Sequence, residues 1–127
     1  MFTDTNAYSG FAVDDIDKAR EFYGDTLGIE TEVLDEENGL LTLHLAGGRD
    51  TLVYRKPDLA PANYTILNFP VDDVESAVDE LAAKGVSFER YDDFDQDERG
   101  IARGSGPDIA WFKDPAGNIL SVHGQPG

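Results

Sequence analysis

Cysteine is absent from this 127-residue chain, which excludes disulfides, thiolate nucleophiles and Cys-based zinc or iron–sulfur sites. Histidine occurs only at His44 and His123, so candidates for imidazole chemistry are few. No apolar run approaches the ~20 residues that a membrane-spanning helix needs. The opening Met1-Phe2-Thr3-Asp4 has none of the features of a signal peptide, so a cytoplasmic location is expected. Basic residues are scarce, with 10 Lys and Arg against 26 Asp and Glu and a formal net charge of −16. Such a field repels phosphate backbones and anionic lipid and favours cations, so neither nucleic acid nor a membrane is an expected partner. The charge serves either as a general solubility surface or as a preference for a cationic ligand.

What is present is the composition of a globular protein: 40% hydrophobic and 28% charged residues rule out the sparse hydrophobicity of disordered chains. The length supports one domain with a real core and is too short for two of ordinary size, but it accommodates two half-domain modules. Residues 7–13 (Ala-Tyr-Ser-Gly-Phe-Ala-Val) read as a strand, followed by Asp14 as a helix N-cap. The helix is expected to reach Leu27, with Ile16, Ala19, Phe22, Tyr23 and Leu27 forming an apolar stripe and Gly28 ending it. Strands are expected over 30–35, 40–46 and 50–55, separated by the turn signals Asn38-Gly39 and Gly47-Gly48.

After a Pro-rich break at 58–62 the same grammar restarts. Residues 64–69 read as a strand, Asp72 and Glu75 suit a capping box, and Val74, Ala77, Val78, Leu81 and Ala82 make a helical stripe ending at Gly85. Phe11-Ala12-Val13-Asp14-Asp15-Ile16 matches Phe69-Pro70-Val71-Asp72-Asp73-Val74 at a fixed offset. Two copies of one supersecondary unit are the economical reading, with module one at about 5–57 and module two at about 63–124. Residues 86–91 read as the next strand and 92–108 as a polar, glycine-bearing loop. The chain then closes on a hairpin, Trp111-Phe112-Lys113 and Ile119-Leu120-Ser121-Val122-His123 around Asp114-Pro115-Ala116-Gly117-Asn118. Each module is strand, helix and three strands, so the fold class is α+β with mixed sheets.

A repeated βαβββ unit, a Val-Asp-Asp opening to each helix, Phe22-Tyr23 running to Leu27-Gly28, and the Asp-Pro-Ala-Gly-Asn turn together resemble the vicinal oxygen chelate superfamily. This group includes glyoxalases, extradiol dioxygenases, fosfomycin-resistance enzymes and bleomycin-binding proteins. The resemblance implies two curled mixed sheets forming a cup. In the family's enzymes, it also implies a divalent metal held by His or Gln on the first strand of each module and by Glu on the last. Imidazole and carboxylate ligands of that kind leave positions open for substrate oxygens. The positions matching those ligands are Tyr8, Ile66, the 52–54 region and Ser121, and they carry no such set. No metal and no other cofactor is therefore expected, a tyrosine with a pKa near 10 being insufficient alone.

The walls of such a cup are expected to carry Tyr8, Tyr54, Ile66, Asn68, Trp111, Ser121 and His123, a mixture of aromatic and polar groups suited to a small organic molecule. The expected function is metal-free binding of a small organic ligand, cationic or aromatic, in the manner of bleomycin-resistance proteins. The alternative is a glyoxalase-like lyase or isomerase with displaced ligands, for which His123 is the candidate general base. Against that role, Ser121 and His123 are neighbours on one strand face, an arrangement that does not normally make a nucleophile–base pair. His44 is expected at the surface or a sheet edge. The 93–97 stretch has alternating acids like a calcium loop but holds Glu98 and Gly104 at the glycine and closing-glutamate positions, so a solvated mobile loop, or a lid over the cup, is expected there. The resemblance also implies a homodimer.

Overall fold

The computed structural model describes residues 1–104 and 106–125, and the chain divides into two compact units, residues 1–60 and 61–127. In the first unit, β1 (Gly10–Val13) leads into α1 (Ile16–Arg20), and the helix continues as a π-helical stretch, Glu21–Thr26. Three strands follow: β2 (Glu30–Asp35), β3 (Leu40–His44) and β4 (Thr51–Arg55). The sheet order is β1-β4-β3-β2, with β1 parallel to β4 and the other pairs antiparallel. Leu41 and Val53 are paired and Phe11 lies in register with Val53 on the same face. That face meets the helix, since the Phe11 and Tyr23 rings are 5.6 Å apart.

The second unit contains β5 (Thr65–Val71), α2 (Val74–Ala83), β6 (Ile109–Lys113) and β7 (Ile119–Gly124) in the order β5-β7-β6. Here β5 runs parallel to β7 and β6 antiparallel to it. Leu67, Leu120 and Phe112 share one row and Phe69, Val122 and Ala110 the next. Of these rows Phe112, Leu120, Ala110 and Val122 are buried together with Val74 and Val78 of α2, while Leu67 and Phe69 are half-buried. The two sheets are open and mixed, as expected.

Four local expectations are corrected. The N-caps are Asp15 and Asp73, each the second acid of its Val-Asp-Asp phrase, accepting from the N–H groups of Lys18 at 3.1 Å and Ser76 at 3.2 Å. Asp14 and Asp72 lie one residue too early to reach the third N–H of the first turn. Glu75 makes no capping box and bonds Arg103 instead. The π-helical stretch, seen in the Leu27 N–H to Phe22 carbonyl bond of 2.9 Å, adds a residue to one turn and shifts the phase of the stripe. Ile16, Ala19 and Tyr23 are consequently buried, while Phe22 and Leu27 are only half-buried.

The fourth correction concerns 86–91, which is not a full strand. It touches β6 through the Phe88–Phe112 bridge and the Glu89 N–H to Trp111 carbonyl bond of 2.8 Å. The reason is Gln96. Its side-chain oxygen accepts from Tyr91 N–H at 2.8 Å, and its amide donates to the carbonyls of Glu89 and Gly100 at 2.9 and 2.7 Å. A side chain thus takes main-chain groups that a strand ladder would have used.

Candidate functional site

The closing hairpin fixes the register of β6 and β7. Asp114 is buried and its carboxylate accepts from the N–H groups of Ala116 and Asn118 at 3.0 and 2.8 Å, while Asn118 donates from its side chain to the same carboxylate at 3.0 Å. Gly117 has φ +95°, the left-handed region that the turn requires. This register aligns Asn68 of β5, Ser121 of β7 and Trp111 of β6 across the sheet, and Pro70, His123 and Ile109 in the adjacent row. Both rows alternate with the apolar rows above, so they occupy the sheet face opposite the core side. Four expected wall residues, Asn68, Trp111, Ser121 and His123, are therefore brought to one face of the second unit.

Ser121 is fully buried and its hydroxyl donates to the Asn68 side-chain oxygen at 2.6 Å. The hydroxyl proton is thereby committed to an amide and not to a base. His123, half-buried, donates from Nδ1 to the Gly124 carbonyl at 2.9 Å. The two side chains share a face but do not form a nucleophile–base pair. Trp111 is mostly buried, with Tyr91 edge-on at 5.4 Å and Phe94 tilted against it at 4.8 Å. The Tyr91 hydroxyl is buried without a hydrogen-bond partner. Burial, with help from the charge of Glu89, pushes its pKa up.

Ile66 falls where the β5–β7 register slips between Thr65 and Leu67, so it departs from the regular alternation. In the first unit, Tyr54 of β4 pairs with Leu40 and lies beside Ala12, on the face opposite Val53. Tyr8 precedes β1 and is exposed. His44 ends the inner strand β3 and is partly exposed there, so it lies at the surface rather than at a sheet edge. Its Nδ1 bonds the Asp50 carboxylate at 2.9 Å and its Nε2 lies 3.7 Å from Glu32. The Asp50 hydrogen bond raises the His44 pKa, burial opposes it, and the charges of Asp50, Glu30 and Glu32 add to the rise.

The 92–108 loop is tied down by residues that spacing did not single out. Asp97 accepts from the N–H groups of Arg99 and Ile101, both at 2.9 Å, and Ile101 is fully buried. Burial works against the Asp97 carboxylate, yet these bonds and the Arg103 guanidinium hold its pKa below the usual value. Arg103 itself bonds Glu75 of α2, Asp97 and Asp108 at 2.6, 3.3 and 2.7 Å. Residues 92–95 are exposed, as a solvated loop would be, while Gly100, Ile101 and Ala102 are buried.

A family model described as Glyoxalase/Bleomycin resistance protein/Dioxygenase superfamily matches residues 7–122. The chain belongs to that superfamily. No curated protein matches it. Among solved structures, TnmS3, an antibiotic binding protein from Streptomyces sp. CB03234, superimposes with a TM-score of 0.72 at 22% identity, covering 98% of this chain and 99% of that one. Lactoylglutathione lyase from Agrobacterium tumefaciens gives 0.66 at 24% identity with 96% of each chain covered. FosX, a genomically encoded fosfomycin resistance protein from Listeria monocytogenes, gives 0.68 at 16% identity, covering 94% of this chain and 91% of that one. At these identities the likeness is one of fold, which in this superfamily hosts several chemistries.

The superfamily's metal can be weighed against the donors at its expected positions. Ile66 has no donor atom, and the 52–54 region (Leu52, Val53, Tyr54) has no carboxylate. Ser121 offers a neutral hydroxyl already engaged with Asn68. Hard divalent cations want anionic oxygen or imidazole ligands, and this set does not suit one. Among the described residues no group of three or more His, Cys, Asp or Glu side chains is arranged to hold a metal ion. No helix among them is long and apolar enough to cross a membrane.

Proposed function

We infer that the chain is a small-molecule binder of the superfamily that works without a resident metal, taking an organic ligand at the exposed Asn68 and half-buried His123, on the face of the β5-β7-β6 sheet opposite its core. The observation that carries this reading is the Ser121–Asn68 pair. It stands where the resemblance expects a metal-ligating carboxylate, offers a neutral hydrogen-bonded group instead, and leaves the exposed Asn68 amide in the same row as Trp111. Such a row gives orientation through hydrogen bonds and affinity through ring contact, the usual division of labour in small-molecule sites. The fold shared with an antibiotic binding protein is consistent with the reading. The ligand belongs to the organic cations or aromatics, and the working form is a homodimer, testable by sedimentation.

The test is a thermal-shift screen over cationic glycopeptides, aromatic metabolites and thiol conjugates, with metal analysis of protein purified without chelator. A binder gains about 2.7 kcal/mol at a ligand concentration 100 times Kd, and the gain should shrink in Asn68→Ala. Stoichiometric Ni, Zn, Fe or Mn that survives dialysis would overturn the metal-free reading. Turnover of an α-ketoaldehyde–thiol adduct that is lost in His123→Gln would replace the binder with a lyase or isomerase.

A further inference from the structure

We propose that the cleft formed by Asp93, Phe94, Asp95, Ala102, Arg103, Pro107 and Ile109 binds a small organic cation, with Phe94 as its aromatic wall and Asp93 and Asp95 as its counter-charges. The cleft has a volume of about 130 Å³. Pockets that enclose drug-sized ligands have about 300–1,000 Å³, so this space takes a headgroup and not a whole antibiotic. Phe94 is 48% exposed while its ring packs against Trp111 at 4.8 Å. The ring is thus held in place with surface left for a ligand, the arrangement a cation–π contact needs.

The charges select the sign of the ligand. Arg103, the one basic residue in the lining, is engaged by Glu75, Asp97 and Asp108. Its charge is therefore already balanced by three carboxylates, which disfavours an anion there. Among the described residues neither the Asp93 nor the Asp95 carboxylate has a hydrogen-bonding or ionic partner, although both line the cleft. The lining thus carries two carboxylates and one guanidinium that is bonded to three further carboxylates, a balance that favours a cation. The walls are also fixed before any ligand arrives. Gln96 holds the main chain at Tyr91, Glu89 and Gly100, and Ala102 exchanges two main-chain bonds with Ile109 at 2.8 and 3.1 Å. A site already ordered loses less entropy on binding.

Ile109 belongs both to the cleft and to the open row with His123, so the inference names the ligand's charge class for the proposed binding face and rests on that reading. The chain has a single tryptophan, Trp111, in contact with Phe94, which provides a local optical reporter. The full chain is titrated with choline and with its neutral isostere 3,3-dimethylbutan-1-ol while Trp111 fluorescence is followed. Choline should give a saturable change, weakened by added salt, with the neutral alcohol about tenfold weaker. Phe94→Ala should weaken choline about three- to tenfold, and the exposed pair Asp93→Asn/Asp95→Asn should remove most of the salt dependence.

Equal binding of the two isosteres would overturn the assignment without any variant being needed. So would a choline response unchanged by both variants. If choline fails while a neutral aromatic ligand from the screen still stabilises the protein in an Asn68-dependent way, the cation cleft falls and the binding face stands. If no ligand of the screen stabilises the protein in an Asn68-dependent way while choline still binds through Phe94, the face falls and the cleft stands as a headgroup site of its own.

Discussion

The Ser121–Asn68 hydrogen bond predicts an asymmetric pair of mutational effects. Ser121 is fully buried, whereas Asn68 is exposed, and the bond between them is 2.6 Å. Ser121→Ala removes the buried partner and leaves the Asn68 amide free to bond water. The loss should be that of one ordinary hydrogen bond, about 0.5–1.5 kcal/mol. Asn68→Ala leaves the Ser121 hydroxyl buried with its donor unpaired, which costs about 1–3 kcal/mol. The double variant removes both polar groups and should be about as stable as Ser121→Ala alone, hence more stable than Asn68→Ala. Urea unfolding of the four proteins at pH 7 measures this directly, with unchanged m-values showing that the unfolded states are comparable. A larger loss in Ser121→Ala than in Asn68→Ala, or a double variant equal to the sum of the singles, would refute the claim that this pair closes the polar account of the open face.

Three further outcomes follow from separate features. Asp15→Ala and Asp73→Ala should each cost about 1 kcal/mol by removing an N-cap, whereas Asp14→Ala and Asp72→Ala should fall within about 0.5 kcal/mol of the parent; equal losses in Asp14→Ala and Asp15→Ala, or in Asp72→Ala and Asp73→Ala, would contradict the cap assignment. Tyr91→Phe deletes a buried hydroxyl that has no partner and should be neutral or raise stability by about 1 kcal/mol, with a clear loss in urea unfolding as the contrary result. His44 should titrate above 6.5 in NMR spectra because Asp50 holds its proton. A folded-state pKa raised in this way contributes stability that is fully present below the unfolded pKa and is lost as pH rises through the folded one; the stability difference between the parent and His44→Gln should therefore shrink on going from pH 6 to pH 9, and a constant difference would count against it.

How far the chain could be read before its structure is itself a physical matter. The Val-Asp-Asp phrases and the Asp114–Asn118 turn announced the repeat and the last hairpin because each rests on local chemistry: an acid reaching a helix N-terminus, and a glycine at φ +95°. Adjacent acids made the cap ambiguous by one residue, since only backbone geometry decides which carboxylate reaches the third N–H. Parity alone placed Asn68, Trp111, Ser121 and His123 on one face, because pairing in the second unit is regular from Leu67 onward. It failed at Ile66, where the register slips, and a slip has no composition signal. The π-helical turn after Arg20 was equally silent, as its sequence fits an α-helix as well.

The 92–108 loop is the segment least legible from its residues, and the cause bears on the site. Alternating acids were weighed against a calcium template, and the residues that organise the loop are instead Gln96, Asp97 and Arg103, whose partners lie up to 28 positions away. Gln96 and Asp97 together satisfy main-chain groups at Tyr91, Glu89, Gly100, Arg99 and Ile101, and Ile101 is fully buried. A lid must open at modest cost, with few buried contacts and loosely held main chain. Opening this segment would expose Ile101, break the Gln96 bonds and separate Arg103 from Glu75 on α2. The bonds of Gln96, Asp97 and Arg103 therefore set a substantial cost on opening the described part of this segment. Specificity at the cleft should then reside in the shape and charge already present at Asp93, Phe94 and Asp95, not in a closure that follows binding.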